Sequence, residues 1–207
     1  MRLPTRLCTC AALVGAIAMF AGSASTAAPA SALSLGIVCP APTTQPFLSP
    51  WGDQTAYWFV GNGGLENGAT GWSLTGGASV ANGNEPWAVH NALDSHSLSL
   101  PAGSTATTPA MCIGLVDAQM RFFAANTANP AATLQVRATY HGGLGQVLGI
   151  ADAGTVVGGA WHPSARIGLL GGALPLLTQS VQFKFSPVGS AGGWRIDDVY
   201  FDPLLHR

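Results

Sequence analysis

Gly193-Trp194-Arg195-Ile196-Asp197-Asp198-Val199-Tyr200-Phe201-Asp202, almost at the C-terminus, is the stretch that decides the fold. Its β-branched and aromatic residues suit a pleated strand, and no helical period runs through it. Strict alternation puts Trp194, Ile196 and Asp198 on one face, and Arg195, Asp197 and Val199 on the other. Only 8% of the chain is charged, so two adjacent carboxylates inside a strand need a physical reason. A second segment near the front of the domain pairs with it: Asn62-Gly63-Gly64-Leu65-Glu66-Asn67-Gly68, then Gly71-Trp72. That is a glycine-rich turn carrying a single carboxylate. A sandwich of sheets can bring its first and last strands together, which would set these scarce acids side by side.

Between the two segments runs a rhythm of short strands. Tyr57 to Val60, Trp72 to Thr75, Ser97 to Leu100, Met111 to Leu115 and Met120 to Ala124 are apolar or alternating runs. Thr133 to Tyr140 alternates with Leu134, Val136 and Ala138 on one face. Ser180 to Ser186 turns Val181, Phe183 and Phe185 inward and Gln182 and Lys184 outward. Gly76-Gly77, Asn82-Gly83, Gly142-Gly143 and Gly192-Gly193 supply the turns. No segment of ten or more residues combines an amphipathic helical period with capping residues. Many short strands with turn signals predict an all-β sandwich. The runs 144–150 and 167–177 are apolar, glycine-studded and poorly periodic. They read as buried strands, or as a hairpin whose apolar face contacts a partner.

The N-terminus reads as an export signal over residues 1–32. Arg2 and Arg6 form a positive start, Ala11 to Ala21 an apolar run too short to span a bilayer, and Ala30-Ser31-Ala32 a cleavage site. Its removal takes Cys8 and Cys10 with it and leaves no transmembrane segment in a chain of about 175 residues, the size of one domain. Six basic residues then face nine acidic ones, with no basic cluster, which argues against nucleic acid or a polybasic membrane contact. Cys39 and Cys112 remain. In an oxidising compartment an even pair most simply forms one disulfide, the alternative being two buried thiols. That bridge would pin residues 33–56, a Pro-rich lead-in with Phe47 and Trp51 as anchors, onto a sandwich domain over 57–207.

The two bracketing motifs, Asn62-Gly-x-x-Glu66-x-Gly68…Gly71-Trp72 and Trp194-x-Ile196-Asp197-Asp198-Val199, resemble those of galactose-binding-like jelly rolls. These include many carbohydrate-binding modules of secreted bacterial enzymes. The likeness spans about residues 58–203. The whole chain also resembles small secreted proteins of high-GC Gram-positive bacteria. The resemblance implies a jelly-roll β-sandwich and a structural Ca²⁺ held by Glu66 with Asp197 or Asp198 and nearby carbonyls, oxygen ligands that suit that ion. The alternative is that the two Asp residues sit at a sheet edge while Glu66 is a solvated turn residue.

A glycan site in such a sandwich would combine exposed aromatics with amides and carboxylates that read hydroxyls. Asn82-Gly-Asn-Glu-Pro-Trp87 is the best candidate, a polar loop with an aromatic tip. Asn84, Glu85, Trp87 and His90 are the expected contacts, with Trp58, Tyr140, Trp161 and Asn91 as further candidates. Trp87 could instead fold back over the core. Trp72 and Trp194 alternate with core residues and read as packing. His90, Asp94, Ser95 and His96 crowd one stretch, but a catalytic triad is recognised by geometry, and no G-x-S-x-G or H-E-x-x-H motif is present. The expectation is a secreted, non-catalytic module for extracellular or cell-envelope carbohydrate. The competing class is a structural or protein-interaction component of the envelope, using the apolar 144–177 region.

Overall fold

The computed structural model describes residue 39 and residues 42–113, 119–129, 131–169, 178–189 and 193–202. All lie in one unit, residues 34–207. The expected signal over 1–32, Leu115, and most of the second apolar run, residues 170–177, lie outside the described residues.

Among the described residues, thirteen strands follow one 3-10 turn, Ser49–Trp51. They are β1 (Trp58–Phe59), β2 (Ser73–Thr75), β3 (Ser79–Asn82), β4 (His96–Leu100), β5 (Thr105–Thr107), β6 (Met111–Cys112) and β7 (Gln119–Asn126). Then come β8 (Thr133–His141), β9 (Val147–Val156), β10 (His162–Pro163), β11 (Ile167–Gly168), β12 (Ser180–Val188) and β13 (Trp194–Asp202). They form two antiparallel sheets, the sandwich that the strand rhythm predicts and of the jelly-roll type that the resemblance implies. One sheet runs β10-β7-β13-β4-β3, with β1 on β13 and β11 on β7. The other runs β2-β5-β12-β8-β9, with β6 on β12.

The alternation read from the sequence sets the interior. Val181, Phe183 and Phe185 of β12 and Leu134, Val136 and Ala138 of β8 are buried, and meet Phe122, Trp194, Ile196 and Val199 of the facing sheet. Phe122 meets Phe185 edge-on at 5.0 Å, a favoured aromatic geometry. Trp72 and Trp194 are packing residues, as expected.

The lead-in works as a strap. Cys39 and Cys112 are bonded, with Cα atoms 5.6 Å apart, which ties the start of the strap to β6. Further along, Leu48 and Tyr57 pack with Phe123 and Tyr200 in a second cluster, joined by Phe47, Trp51, Phe59, Val89 and Trp161. Because Phe122 faces the main core, its neighbour Phe123 faces outward, so the strap covers the outer side of that sheet. Asp53 locks it there. Its buried carboxylate accepts from Tyr57 Oη at 2.9 Å, from Arg166 Nη2 at 2.6 Å and from Arg121 Nη1. Burial alone would raise the Asp53 pKa, but the Arg166, Thr55 and Tyr57 hydrogen bonds hold it well below the usual carboxylate range. The Tyr57 hydroxyl, buried against that carboxylate, is pushed up to about 12.

The first apolar run differs from the expectation of a buried strand. β9 is an edge strand, and Val147 and Ile150 stand exposed on it, with Leu144 exposed just before and Val157 just after. The reason lies in the register. Gly149 lies opposite Tyr140, Ala151 opposite Ala138 and Gly154 opposite Val136, so small residues take most of the inward positions, while Val147 and Ile150 turn out.

Candidate functional site

The first and last strands do meet. Trp58 pairs with Phe201 and Phe59 with Tyr200, and the Val60 N–H donates to the Val199 carbonyl at 2.9 Å. Gly63 is needed at this junction, since a Cβ there would lie 2.8 Å from the Val199 oxygen. The first half of β13, Trp194 to Ile196, pairs instead with β4. Between the halves the β13–β7 register shifts, and Asp198 adopts φ +47°. This is a β-bulge, and it overturns the strict alternation expected for Asp197 and Asp198. Asp tolerates the left-handed region better than most residues, which suits it to the bulge.

The bulge turns both carboxylates toward one loop, residues 83–95. Asp197 Oδ2 accepts the Glu85 N–H at 2.9 Å, and Asp198 Oδ2 accepts the His90 N–H and the Tyr200 hydroxyl, each at 3.0 Å. Both Asp side chains are fully buried. Burial, and for Asp197 also the Asp198 charge, pushes both pKa values up, despite the hydrogen bonds that oppose the rise. Arg195 does not compensate them, because its guanidinium binds Ser97 Oγ and the carbonyls of Ala81, Asn82 and Gly83.

Glu85 departs from its expected role as a ligand contact. It is buried, and its two oxygens each accept a backbone N–H at 2.5 Å, from Trp87 and from Val89. Between those donors Ala88 sits at φ +48°, a conformation unfavourable for a side chain bearing a Cβ. The buried carboxylate thus holds a strained turn whose outcome is the position of Trp87. Nothing in the local sequence reveals where the backbone partners of Glu85 lie.

Trp87 itself is 46% exposed. It meets Trp51 edge-on at 5.1 Å and Phe123 at 5.6 Å. Phe47, Pro50, Trp51, Trp87, Ala88 and Val89 line an open cleft of about 470 Å³. The strap therefore contributes half of the residues that line this cleft. Trp51 was legible only as an anchor, because its approach to Trp87 is long-range. Asn84 is partly buried, and both its amide atoms are buried without a hydrogen-bond partner among the described residues. Tyr140 is buried, its hydroxyl on the Leu169 carbonyl, so it is no ligand platform. Trp58 and Trp161 pack against the two clusters.

His90 belongs to a neighbouring cleft of about 490 Å³, lined with Phe59, Asn62, Gly64, Glu66, Asn67, Asn91 and Asp94. Its ring stacks on Phe59 at 3.6 Å, 6° from parallel, and Nδ1 lies 2.7 Å from Asp94 Oδ2. Glu66 reaches the same cleft but turns to other partners. Oε1 accepts the N–H groups of Ser95 and His96 at 2.8 and 2.7 Å, and Oε2 lies 2.8 Å from His96 Nδ1. These bonds draw its pKa down, against the effect of burial. Of the groups expected around a calcium, Glu66 with Asp197 or Asp198, Glu66 is bonded to Ser95 and His96. Asp197 is taken up by the N–H groups of Glu85 and Asp198, and the acidic and imidazole groups that do converge are His90, Asp94 and Asp198. Ser95, His96 and Glu66 form no catalytic relay either. Ser95 Oγ and Glu66 Oε2 both meet the same imidazole nitrogen, Nδ1, whereas a relay uses the two nitrogens separately.

Among the described residues no helix is long and apolar enough to cross a membrane. No family model and no curated protein matches the chain. Solved structures similar to it include the enzymatically active domain of tailspike protein 4 of bacteriophage CBA120, at 20% identity and a TM-score of 0.49. That match covers 70% of this chain, which spans 21% of the tailspike's length. TmCBM61, in complex with β-1,4-galactotriose, matches at 14% identity and 0.49, over 70% of this chain and 98% of that one. A family 16 carbohydrate-binding module matches at 16% identity and 0.47, over 70% and 99%. These are likenesses of the β-sandwich, at identities too low to carry a ligand or an activity across.

Proposed function

We propose that the protein is a secreted, non-catalytic module that holds an extracellular or cell-envelope carbohydrate on the Trp51–Trp87 surface. One observation carries this reading: an exposed tryptophan, fixed in place by a buried carboxylate, stands at a right angle to a second tryptophan in an open cleft. The C–H face of a pyranose packs on such an indole, whose negative π face attracts the polarised hydrogens. The Cys39–Cys112 bond supports export to an oxidising compartment. The test is binding to soluble xylan, galactan, glucan and bacterial envelope polysaccharides by calorimetry and affinity electrophoresis. Binding by the wild-type protein but not by W87A supports the reading. Hydrolysis of any of them by the purified protein contradicts it.

A second reading, a protein-interaction component of the envelope, rests on the exposed Val147 and Ile150 of the β9 edge. It predicts concentration-dependent self-association that is lost when Ile150 is made polar. The tryptophan reading predicts no such dependence.

A further inference from the structure

Asp198 carries a feature that the carbohydrate reading leaves unused. Its Oδ1 is buried and has no hydrogen-bond partner among the described residues, while Oδ2 is satisfied by Tyr200 and His90. A buried carboxylate oxygen without a donor is unfavourable, so a positively polarised group is wanted there. The space beside it is defined. A Cβ at Gly64 would lie 3.1 Å from Asp198 Oδ1 and 3.6 Å from Asp94 Oδ2, so both oxygens face a gap that glycine keeps open. His90 Nδ1 borders the same gap, 2.7 Å from Asp94 Oδ2. One ligand atom from each of the three residues lies within 4.8 Å of the other two. The donors are also held still, His90 by its parallel stack on Phe59 and Asp94 by a side chain only 7% exposed. Among the described residues, no Lys or Arg forms an ion pair with Asp94, Asp197 or Asp198.

We propose that His90, Asp94 and Asp198 form a site for a first-row divalent cation of the zinc class. Calcium takes six to eight oxygens and has no preference for imidazole, and the Glu66 oxygen that a calcium site here would need is engaged by Ser95 and His96. One imidazole nitrogen with two carboxylate oxygens is a donor set that zinc accepts. Three protein ligands leave the remaining coordination to water on the cleft side, next to Asn62, Asn67 and Asn91. The cation would join the bulge of β13 to the loop that carries Trp87. The inference stands apart from the carbohydrate reading, since neither needs the other.

The test uses purified protein stripped with a chelator, then titrated separately with Zn²⁺, Mn²⁺ and Ca²⁺ by calorimetry and thermal melting. The account expects one Zn²⁺ per chain, a higher melting temperature with Zn²⁺, and no comparable effect of Ca²⁺. H90Q and D94N should each weaken Zn²⁺ by at least about tenfold, whereas H96Q, at the neighbouring Glu66 contact, should leave it unchanged. Because Asp198 is buried in the last strand, D198N endangers folding, and the two loop variants carry the test. Co²⁺ substitution gives an independent readout: a visible absorption band present in the wild type and lost in H90Q. The proposal is overturned if Zn²⁺ does not bind, if H90Q and D94N bind it as the wild type does, or if Ca²⁺ binds more tightly than Zn²⁺.

Discussion

Asp197 and Asp198 are neighbours in the last strand, yet both carboxylates serve one loop, the first taking the Glu85 N–H and the second the His90 N–H. In a regular strand they would point to opposite faces. The bulge at Asp198 removes that separation, and it falls where β13 exchanges one neighbour, β4, for another, β1. The final strand therefore positions the 83–95 loop, and through it the exposed tryptophan.

Glu85 should behave as a positioning residue. E85A removes the acceptor for two backbone N–H groups and frees the turn at Ala88. The expected result is a loss of about 1–3 kcal/mol of stability and weaker glycan binding, although Glu85 touches no ligand. E85Q retains one carbonyl acceptor and should recover part of both. Equilibrium denaturation and calorimetry on the same samples check this.

Opening the disulfide should loosen the strap. The bond spans 73 residues of sequence, a loop whose closure is worth about 4 kcal/mol on the chain-entropy account. C39S/C112S should lower the melting temperature accordingly. It should also blunt binding, because Trp51 belongs to the strap. Reduction of the wild type with dithiothreitol should give the same shift, and no shift would contradict the strap's role.

Asp53 should make stability fall in acid. Its folded-state pKa lies below the unfolded value, so the stabilisation is complete above about pH 4 and is lost as pH falls below it. D53N should cost about 3 kcal/mol near neutrality, since it leaves the nearly buried Arg121 uncompensated. The gap in melting temperature between D53N and the wild type should stay constant down to about pH 4 and narrow as the pH falls from there toward about pH 2. A gap independent of pH would contradict the assignment.

Gly63 and Gly61 form a controlled pair. G63A forces a Cβ against the Val199 and Val60 carbonyls, at 2.8 and 3.0 Å, and should destabilise by about 1–3 kcal/mol. At Gly61 a Cβ meets nothing within 4 Å, so G61A should be close to neutral. Similar effects in both would mean that the junction between the first motif and the last strand is less tight than described.

The fold was legible because β8, β12 and most of β13 alternate with few exceptions and the glycine turns fall between them. The Cys39–Cys112 pairing was legible from compartment and count. What escaped was long-range. The bulge leaves no local mark beyond the Asp197-Asp198 doublet, so faces derived from alternation were wrong from Asp198 onward. In β9 most inward positions belong to small residues, Gly149, Ala151 and Gly154, which inverts the usual reading of an apolar run as buried. Trp87 could be singled out because a polar loop surrounds it. Its partner Trp51 lies 36 positions earlier, in a segment with no period to place it. Glu85 and Glu66 both accept backbone N–H groups, and a carboxylate that holds the backbone looks like a ligand group in a sequence.

The central claim is that Trp87 presents a sugar-binding surface, and the most direct measurement is the affinity of wild-type and W87A protein for a soluble polysaccharide by isothermal calorimetry. W87A should retain the wild-type fold, because the side chain is half exposed, and lose about thirtyfold in affinity, corresponding to about 2 kcal/mol. Equal binding by both proteins, or binding by neither across plant and bacterial polysaccharides, would contradict the account.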